Sequence, residues 1–256
     1  MSFSFATWNI NSVRMRAPLV LDWLNRHSEC QLLALQEIKC ETEQFPSLFE
    51  ENGFHCYVKG QKSYNGVAFI SRQPVTVTTD HLPGFDDPAA RYIEVATDTL
   101  RIGNLYLPNG NSGGEKGFQT KLSFLEALYQ RARTLLDQNQ PFAFIGDYNV
   151  CPTDNDLARK ALSEGDALIA PASRAGFRRL LWAGLTDAVR ALRPEEKLYT
   201  FWDYQAAAFQ RNSGLRIDHA LLSPSLADRL ESTFIDRDER TREKPSDHVP
   251  VMVTLA

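Results

Sequence analysis

The sequence predicts a mixed α/β layered fold, and three observations lead there. Short apolar or alternating runs bounded by turn residues recur along the chain, two longer stretches carry the spacing of amphipathic helices, and several strands follow one another without room for a helix between them. The strand runs are residues 3–10, 31–36, 66–71, 91–97, 101–107, 142–146, 216–222 and 249–255. Residues 17–26 read as a helix with Pro18 in its first turn, where a missing backbone N–H breaks no helical bond. Residues 117–138 read as a second helix, with Leu122, Leu125, Leu128 and Leu135 gathered on one face. Both helices are expected to cover sheet faces. The connections at 74–80 and 91–107 place strands consecutively, which excludes a purely parallel, doubly wound sheet. Residues 108–117, PNGNSGGEKG, follow a strand directly and read as a mobile loop lining a substrate surface. The alternating charges of residues 236–244 read most simply as a solvated loop.

Composition bounds the function class. A chain of 256 residues that is 43% hydrophobic can bury a full core, and residues 1–256 are read as one domain. No run approaches the roughly 18 apolar residues of a membrane span, and the opening MSFSFATWNIN lacks the basic start and apolar core of a signal peptide. The expectation is an intracellular, cytoplasmic protein with no membrane partner. Cys30, Cys40, Cys56 and Cys151 form no C-x-x-C pair and suggest neither a zinc site nor a disulfide framework. The net charge of −4 argues against binding nucleic acid by overall positive charge, while leaving room for local basic patches and for a carboxylate site that holds a hard cation.

Polar groups gather where apolar strands end. Asn9 and Asn11 close the first strand, Glu37 the second, and Asp147 and Asn149 a later one; Asp218–His219 and Asp247–His248 follow in the last third of the chain. Taken singly, each has an ordinary explanation: Asn9 and Asn149 as turn formers, Glu37 as a helix-start charge, Asp147 as an Asx-turn acceptor. Together they are better explained by convergence. Strand ends of a layered fold meet along one edge, and a cluster of carboxylates, amides and one imidazole suits a divalent cation and a phosphate ester. His219 should point away from Asp218, because successive strand residues face opposite sides. His27, His55 and His81 have no motif around them.

The stretches WNINSVR, LALQEIKC, YNGVAFIS, NLYLPNG, FIGDYNV, YTFWDY, LRIDHALLS and SDHVPV, in this order, resemble the exonuclease III and abasic-site endonuclease family. The resemblance runs from Phe5 to Leu255, and the spaced combination of QE, GDxN and SDH is its most specific part. It implies a four-layer α-β-β-α, DNase I-like sandwich of two mixed sheets. It also implies roles: Glu37 as a ligand of Mg²⁺ (Mn²⁺ as the alternative), with Asn9, Asn11, Asp247, Asp147 and Asn149 in the metal environment. Asp147 would activate the attacking water, Asn149 and Tyr106 would donate to phosphate oxygens, and His248, held by Asp218, would meet phosphoryl charge as an imidazolium. Trp202 would pack against a sugar. Arg14, Lys39, Asn65, Lys116 and Lys121 are the candidate DNA contacts, positioning the backbone without reading sequence.

The implied substrate is double-stranded DNA with abasic sites or 3′ ends, worked on by a monomer without an obligate protein partner. Residues 151–174 depart from the family pattern more than the motifs do, and the chain lacks the long N-terminal extension of some animal relatives. Two other readings remain: a phosphoesterase of the same fold acting on an inositol phosphate or phospholipid head group, and a catalytically inactive nucleic-acid-binding module, which would be expected to lack charged site residues.

Overall fold

The computed structural model describes residues 2–256. Its strands are β1 (Phe3–Asn9), β2 (Cys30–Gln36), β3 (His55–Lys59), β4 (Val67–Ser71), β5 (Thr76–Thr79), β6 (Tyr92–Ala96), β7 (Arg101–Tyr106), β8 (Phe142–Asp147), β9 (Thr186–Asp187), β10 (Asp218–Leu222), β11 (Leu230–Ile235) and β12 (Val251–Leu255). The α-helices are α1 (Val13–Arg26), α2 (Leu48–Glu51), α3 (Gly114–Asp137), α4 (Pro171–Trp182), α5 (Ala188–Leu192) and α6 (Pro224–Ala227). The strands form two six-stranded sheets in the orders β11-β12-β1-β2-β4-β3 and β5-β6-β7-β8-β10-β9. Each sheet contains one parallel pair, β1 with β2 and β7 with β8, amid antiparallel neighbours. The crossovers of the two parallel pairs carry α1 and α3.

Alternation within the strands builds the expected four layers. On β1, Phe5 faces inward with Leu32, Phe69, Ile102, Ile145 and Val253, while Ala6 and Trp8 face outward with Trp23 and Leu24 of α1. On β8, Ile145 faces inward and Phe142 and Phe144 pack outward with Leu125 and Leu128 of α3 and Phe177 of α4. Gly176 permits the close approach of α4 to α3, since a Cβ there would lie 2.8 Å from Leu125 Cδ1. Polar groups also bridge the sheets: Gln36 Nε2 donates to Asn104 Oδ1 at 2.8 Å, and Asn104 Nδ2 donates to the carbonyls of Leu35 and Ala68.

Several expectations are corrected. Helix α1 begins at Val13, so Pro18 lies inside it rather than in its first turn. Strands β3 and β11 lie at sheet edges and carry polar faces that disguise their alternation. Residues 236–244 are not simply solvated, because Asp236 accepts from Trp23 Nε1 at 2.9 Å and the buried Glu239 pairs with Arg26 and Arg242. The polar groups also do not all lie at strand C-termini. Asp218 begins β10, and His248 precedes β12; both reach the common edge because their strands run antiparallel to β8 and β1.

Candidate active site

At this edge the backbone leaves the strands by left-handed turns. Asn11, Glu37 and Asn149 have φ of 45°, 50° and 47°, a conformation that costs a non-glycine residue on the order of 1–3 kcal/mol and persists only where the surroundings enforce it. Backbone bonds enforce it here: Ser12 N donates to Glu37 O at 2.7 Å, and Tyr148 N donates to Ile217 O at 2.8 Å. Gly146 approaches β7 so closely, at φ 147°, that a Cβ would lie 2.0 Å from Leu105 O. The glycine of GDYN is therefore required to seat Asp147.

Four carboxylates then meet Lys39 and His248. Asn9 Nδ2 bridges Glu37 Oε1 at 2.8 Å and Asp147 Oδ2 at 2.9 Å. Asn11 donates to Asp247 Oδ1 at 3.1 Å and accepts from Lys39 Nζ at 2.6 Å, and the same Nζ lies 2.8 Å from Glu37 Oε2. His248 Nδ1 is 2.8 Å from Asp218 Oδ2, and its Nε2 is 3.8 Å from Asp147 Oδ2. Burial alone would lower the imidazole pKa, but Asp218 and then Asp147 outweigh it and raise it to about 10. The ring is thus an imidazolium at neutral pH. Burial pushes the Asp147 carboxyl up, to about 7, against the pull of His248. Asp147 Oδ1 also accepts from Asn149 N at 2.9 Å, the Asx-turn bond, while its Oδ2 faces Asn9 and His248.

The opposite wall of the cleft comes from NLYLPNG. Tyr106 has its pKa raised by burial and by the neighbouring Glu37 and Asp147, which keeps its hydroxyl a donor. Arg91 stacks on its ring at 4.9 Å. Asn149 Nδ2 donates to Leu107 O at 2.9 Å, and Asn109 Nδ2 donates to Asn149 Oδ1 at 3.0 Å. The cleft has a volume of about 250 Å³ and brings together Glu37, Tyr106, Asn109, Asp147, Asn149, Asp247 and His248. Asp218 is held beneath His248. Leu162, Leu168, Phe201, Leu215 and Ile217 give the cleft an apolar side. Two of these come from residues 151–174, the stretch that departs from the family pattern.

Two expected contacts are displaced. Trp202 is 1% exposed and packs with Tyr199 and Val249, so it cannot reach a sugar; its neighbour Phe201 lies in the cleft, 4.9 Å from the His248 ring. Lys121 is fully buried and cannot meet DNA; its Nζ donates to Asn109 O at 3.0 Å and Asn149 O at 2.6 Å. Arg14 and Lys116 are exposed, Lys39 is half-buried against Glu37, and Asn65 Nδ2 donates to Gln61 Oε1 at 3.0 Å. His219 turns away from the cleft, with Nε2 2.9 Å from Val150 O. Sequence reading missed Asn109, Phe201 and Arg91. Asn109 had a signal in the loop already assigned to a substrate surface; Phe201 and Arg91 had none.

The donor set fits a hard divalent cation. Asp147, Asp218 and His248 bring ligand atoms within 4.8 Å of one another, but His248 Nδ1 and Asp218 Oδ2 already engage each other at 2.8 Å. The suitable oxygens are those of Glu37 and Asp147, joined through Asn9, with the Lys39 ammonium already drawn to Glu37.

Comparison with known proteins agrees with this architecture. Residues 6–248 match the model of the Endonuclease/Exonuclease/phosphatase family. The chain is 34% identical to exodeoxyribonuclease III of Haemophilus influenzae over 96% of its own length and 97% of that protein. A Neisseria 3′ phosphatase bound to a product DNA hairpin superposes with a TM-score of 0.94 at 35% identity, covering 99% of both chains. An AP endonuclease from Archaeoglobus fulgidus superposes at 0.92 with 31% identity, again over 99% of both.

Proposed function

The chain belongs to the endonuclease/exonuclease/phosphatase family, and from that premise we propose that it is a Mg²⁺-dependent DNA repair phosphodiesterase. It incises duplex DNA on the 5′ side of abasic sites, removes nucleotides or blocking groups from 3′ ends, or does both, and leaves a 3′-hydroxyl. The observation that carries this reading is the line Asp218–His248–Asp147, facing Glu37 across Asn9 at the mouth of a cleft with one apolar side.

Each residue has a chemical task. Asp147 orients a water and takes its proton as the water oxygen bonds to phosphorus; a buried carboxyl raised towards neutrality is suited to that transfer. The bond from phosphorus to the 3′ oxygen breaks in line, and that oxygen leaves as an alkoxide that takes a proton from water to become the hydroxyl. His248, kept protonated by Asp218, donates to a phosphoryl oxygen as negative charge grows there. Tyr106, Asn149 and Asn109 present neutral donors from the other wall. Glu37, with Asp147 and the Asn9, Asn11 and Asp247 environment, would hold the metal ion. When bound, Mg²⁺ supplies positive charge for the phosphoryl and leaving oxygens. The apolar side formed by Phe201, Leu162, Leu168, Leu215 and Ile217 offers room for a nucleotide without a base, which is less costly to extrude than a paired one. Arg14, Lys39, Asn65 and Lys116 remain the candidate backbone contacts. We read the working unit as a monomer acting inside the cell; no helix among the described residues is long and apolar enough to cross a membrane.

The test uses end-labelled duplexes, intact or carrying one abasic-site analogue, with Mg²⁺ and with EDTA. Mg²⁺-dependent incision at the analogue establishes the endonuclease, and a ladder shortening from the 3′ end establishes the exonuclease. If neither duplex is cut, the DNA reading fails and inositol phosphate or phospholipid substrates become the better hypothesis.

A further inference from the structure

Lys121 belongs to α3, whose outer positions are solvated, yet its side chain is fully buried. It makes no ion pair among the described residues. Its Nζ instead donates to two backbone carbonyls, those of Asn109 at 3.0 Å and Asn149 at 2.6 Å. These residues lie in different loops, after β7 and after β8, and their side chains join through Asn109 Nδ2 and Asn149 Oδ1 at 3.0 Å. Gly110 leaves the space that the lysine stem fills, since a Cβ there would lie 2.7 Å from Lys121 Cδ. Burial lowers the pKa of this amine to about 7 against the pull of the Asp147 and Asp166 charges, and an apolar side chain of similar length would fill the slot without burying a polar group at all. The amine is therefore poorly explained by stability.

We infer that Lys121 is a positioning residue for the proposed hydrolysis: by drawing the Asn109 and Asn149 carbonyls inward onto one Nζ, it fixes the two side-chain amides on the phosphate-facing wall of the cleft. The inference rests on the reading of that cleft as a nuclease site. Asn149 is held in the left-handed region at φ 47°, and a donor 2.6 Å from its carbonyl is a natural restraint on a strained turn. Asn109 has no such strain and is held in register with Asn149 by the shared lysine. Since Lys121 does not reach solvent, it touches neither DNA nor the reacting atoms.

The experiment compares Lys121→Met and Lys121→Gln with wild type on the abasic or 3′-end substrate. Misplacing reacting groups by about 1 Å costs up to roughly 100-fold in rate. The Met variant should lose roughly 10- to 100-fold in kcat with KM little changed, and Gln, which keeps N–H donors, should lose less. The slope of log Kd against log salt should match wild type. A slope smaller by about one unit with kcat preserved would instead identify a direct phosphate contact and overturn the inference. Equal kcat in all three proteins would overturn it as well. If Met prevents folding, the Gln variant alone carries the kcat and salt-slope tests. The side-chain amide resonances of Asn109 and Asn149 read the geometry independently of turnover: they should shift in either variant, and unchanged resonances would sink the proposal. A wild-type protein that cuts no DNA, with those resonances shifted in the variants, would fail the nuclease reading and not the positioning.

Discussion

Two buried acidic groups in this molecule differ in how their charge is met. Glu94, on β6, is fully buried and accepts from Arg131 at 2.7 and 3.0 Å, Arg101 at 3.2 Å, Thr78 at 2.7 Å and Tyr92 at 2.8 Å. Burial would raise its pKa, but the Arg131 hydrogen bonds and charge reverse this and hold it below the ordinary value. Asp147 is equally buried, but no guanidinium answers it: burial, helped by the neighbouring Asp218 charge, pushes its carboxyl up against the pull of His248 and the hydrogen bonds from Asn9 and the Asn149 amide. Asp218 Oδ1 has no hydrogen-bond partner among the described residues. A carboxylate surrounded by guanidinium is complete within the chain. A group of carboxylates short of positive charge is completed by something that arrives, and a cation with a phosphate ester is what these oxygens and donors can receive.

The sharpest way to break this contrast is to neutralise each acid. Asp147→Asn should lower kcat/KM by about 10²–10⁴-fold, because it removes the group that takes a proton in the transition state. Its melting temperature should move by no more than about 4 °C. Wild-type turnover in that variant would remove Asp147 from the chemistry. Glu94→Gln should do the reverse. Removing the charge that answers the half-buried Arg131 and Arg101 guanidiniums costs about 1–3 kcal/mol, read as a lower denaturation midpoint, while turnover per folded molecule stays unchanged. The pH dependence has a definite sign. The folded pKa of Glu94 is depressed, so its stabilisation is complete above the unfolded value, near 4.3, and is lost as pH falls through the folded one. The gap in stability between wild type and Glu94→Gln should therefore close in acid below that value; a gap constant with pH would contradict the assignment. The smallest effect concerns the cation. Mg²⁺ at one hundred times its Kd should stabilise wild type by about 2.7 kcal/mol, and calorimetric melts should show this shift reduced in Glu37→Gln and retained in Glu94→Gln. An equal shift in all three would place the ion elsewhere.

The contrast was only partly visible in the sequence. Asn9, Glu37, Asp147, Asn149, Asp218 and His248 stand beside short apolar strands, and the period-2 pattern brings those strands into one sandwich. What could not be read is burial by distant residues. Lys121 looks like a solvated helix cation until Asn109 and Asn149 close over it. Phe201 and Trp202 differ by one position, and the choice between them depends on the antiparallel bridges of Phe201 to Leu215 and His248, which join segments far apart in sequence. Glu239 resembles any surface acid until Arg26 and Arg242 are placed against it. Charge sign is local information, whereas charge balance depends on the fold.

The pairing of β1 with β12 sets Phe3 beside Leu255 and fastens Trp8 Nε1 to His248 O at 3.0 Å. On a ribosome adding about 5–20 residues per second, roughly 12–50 seconds separate the synthesis of those two strands. Throughout that interval the growing chain already carries Glu37 and, later, Asp147, but neither His248 nor the strand that seats it. Until His248 is made, the proposed site lacks the ring that pairs with Asp218, so by that reading a chain broken before His248 binds DNA without cutting it.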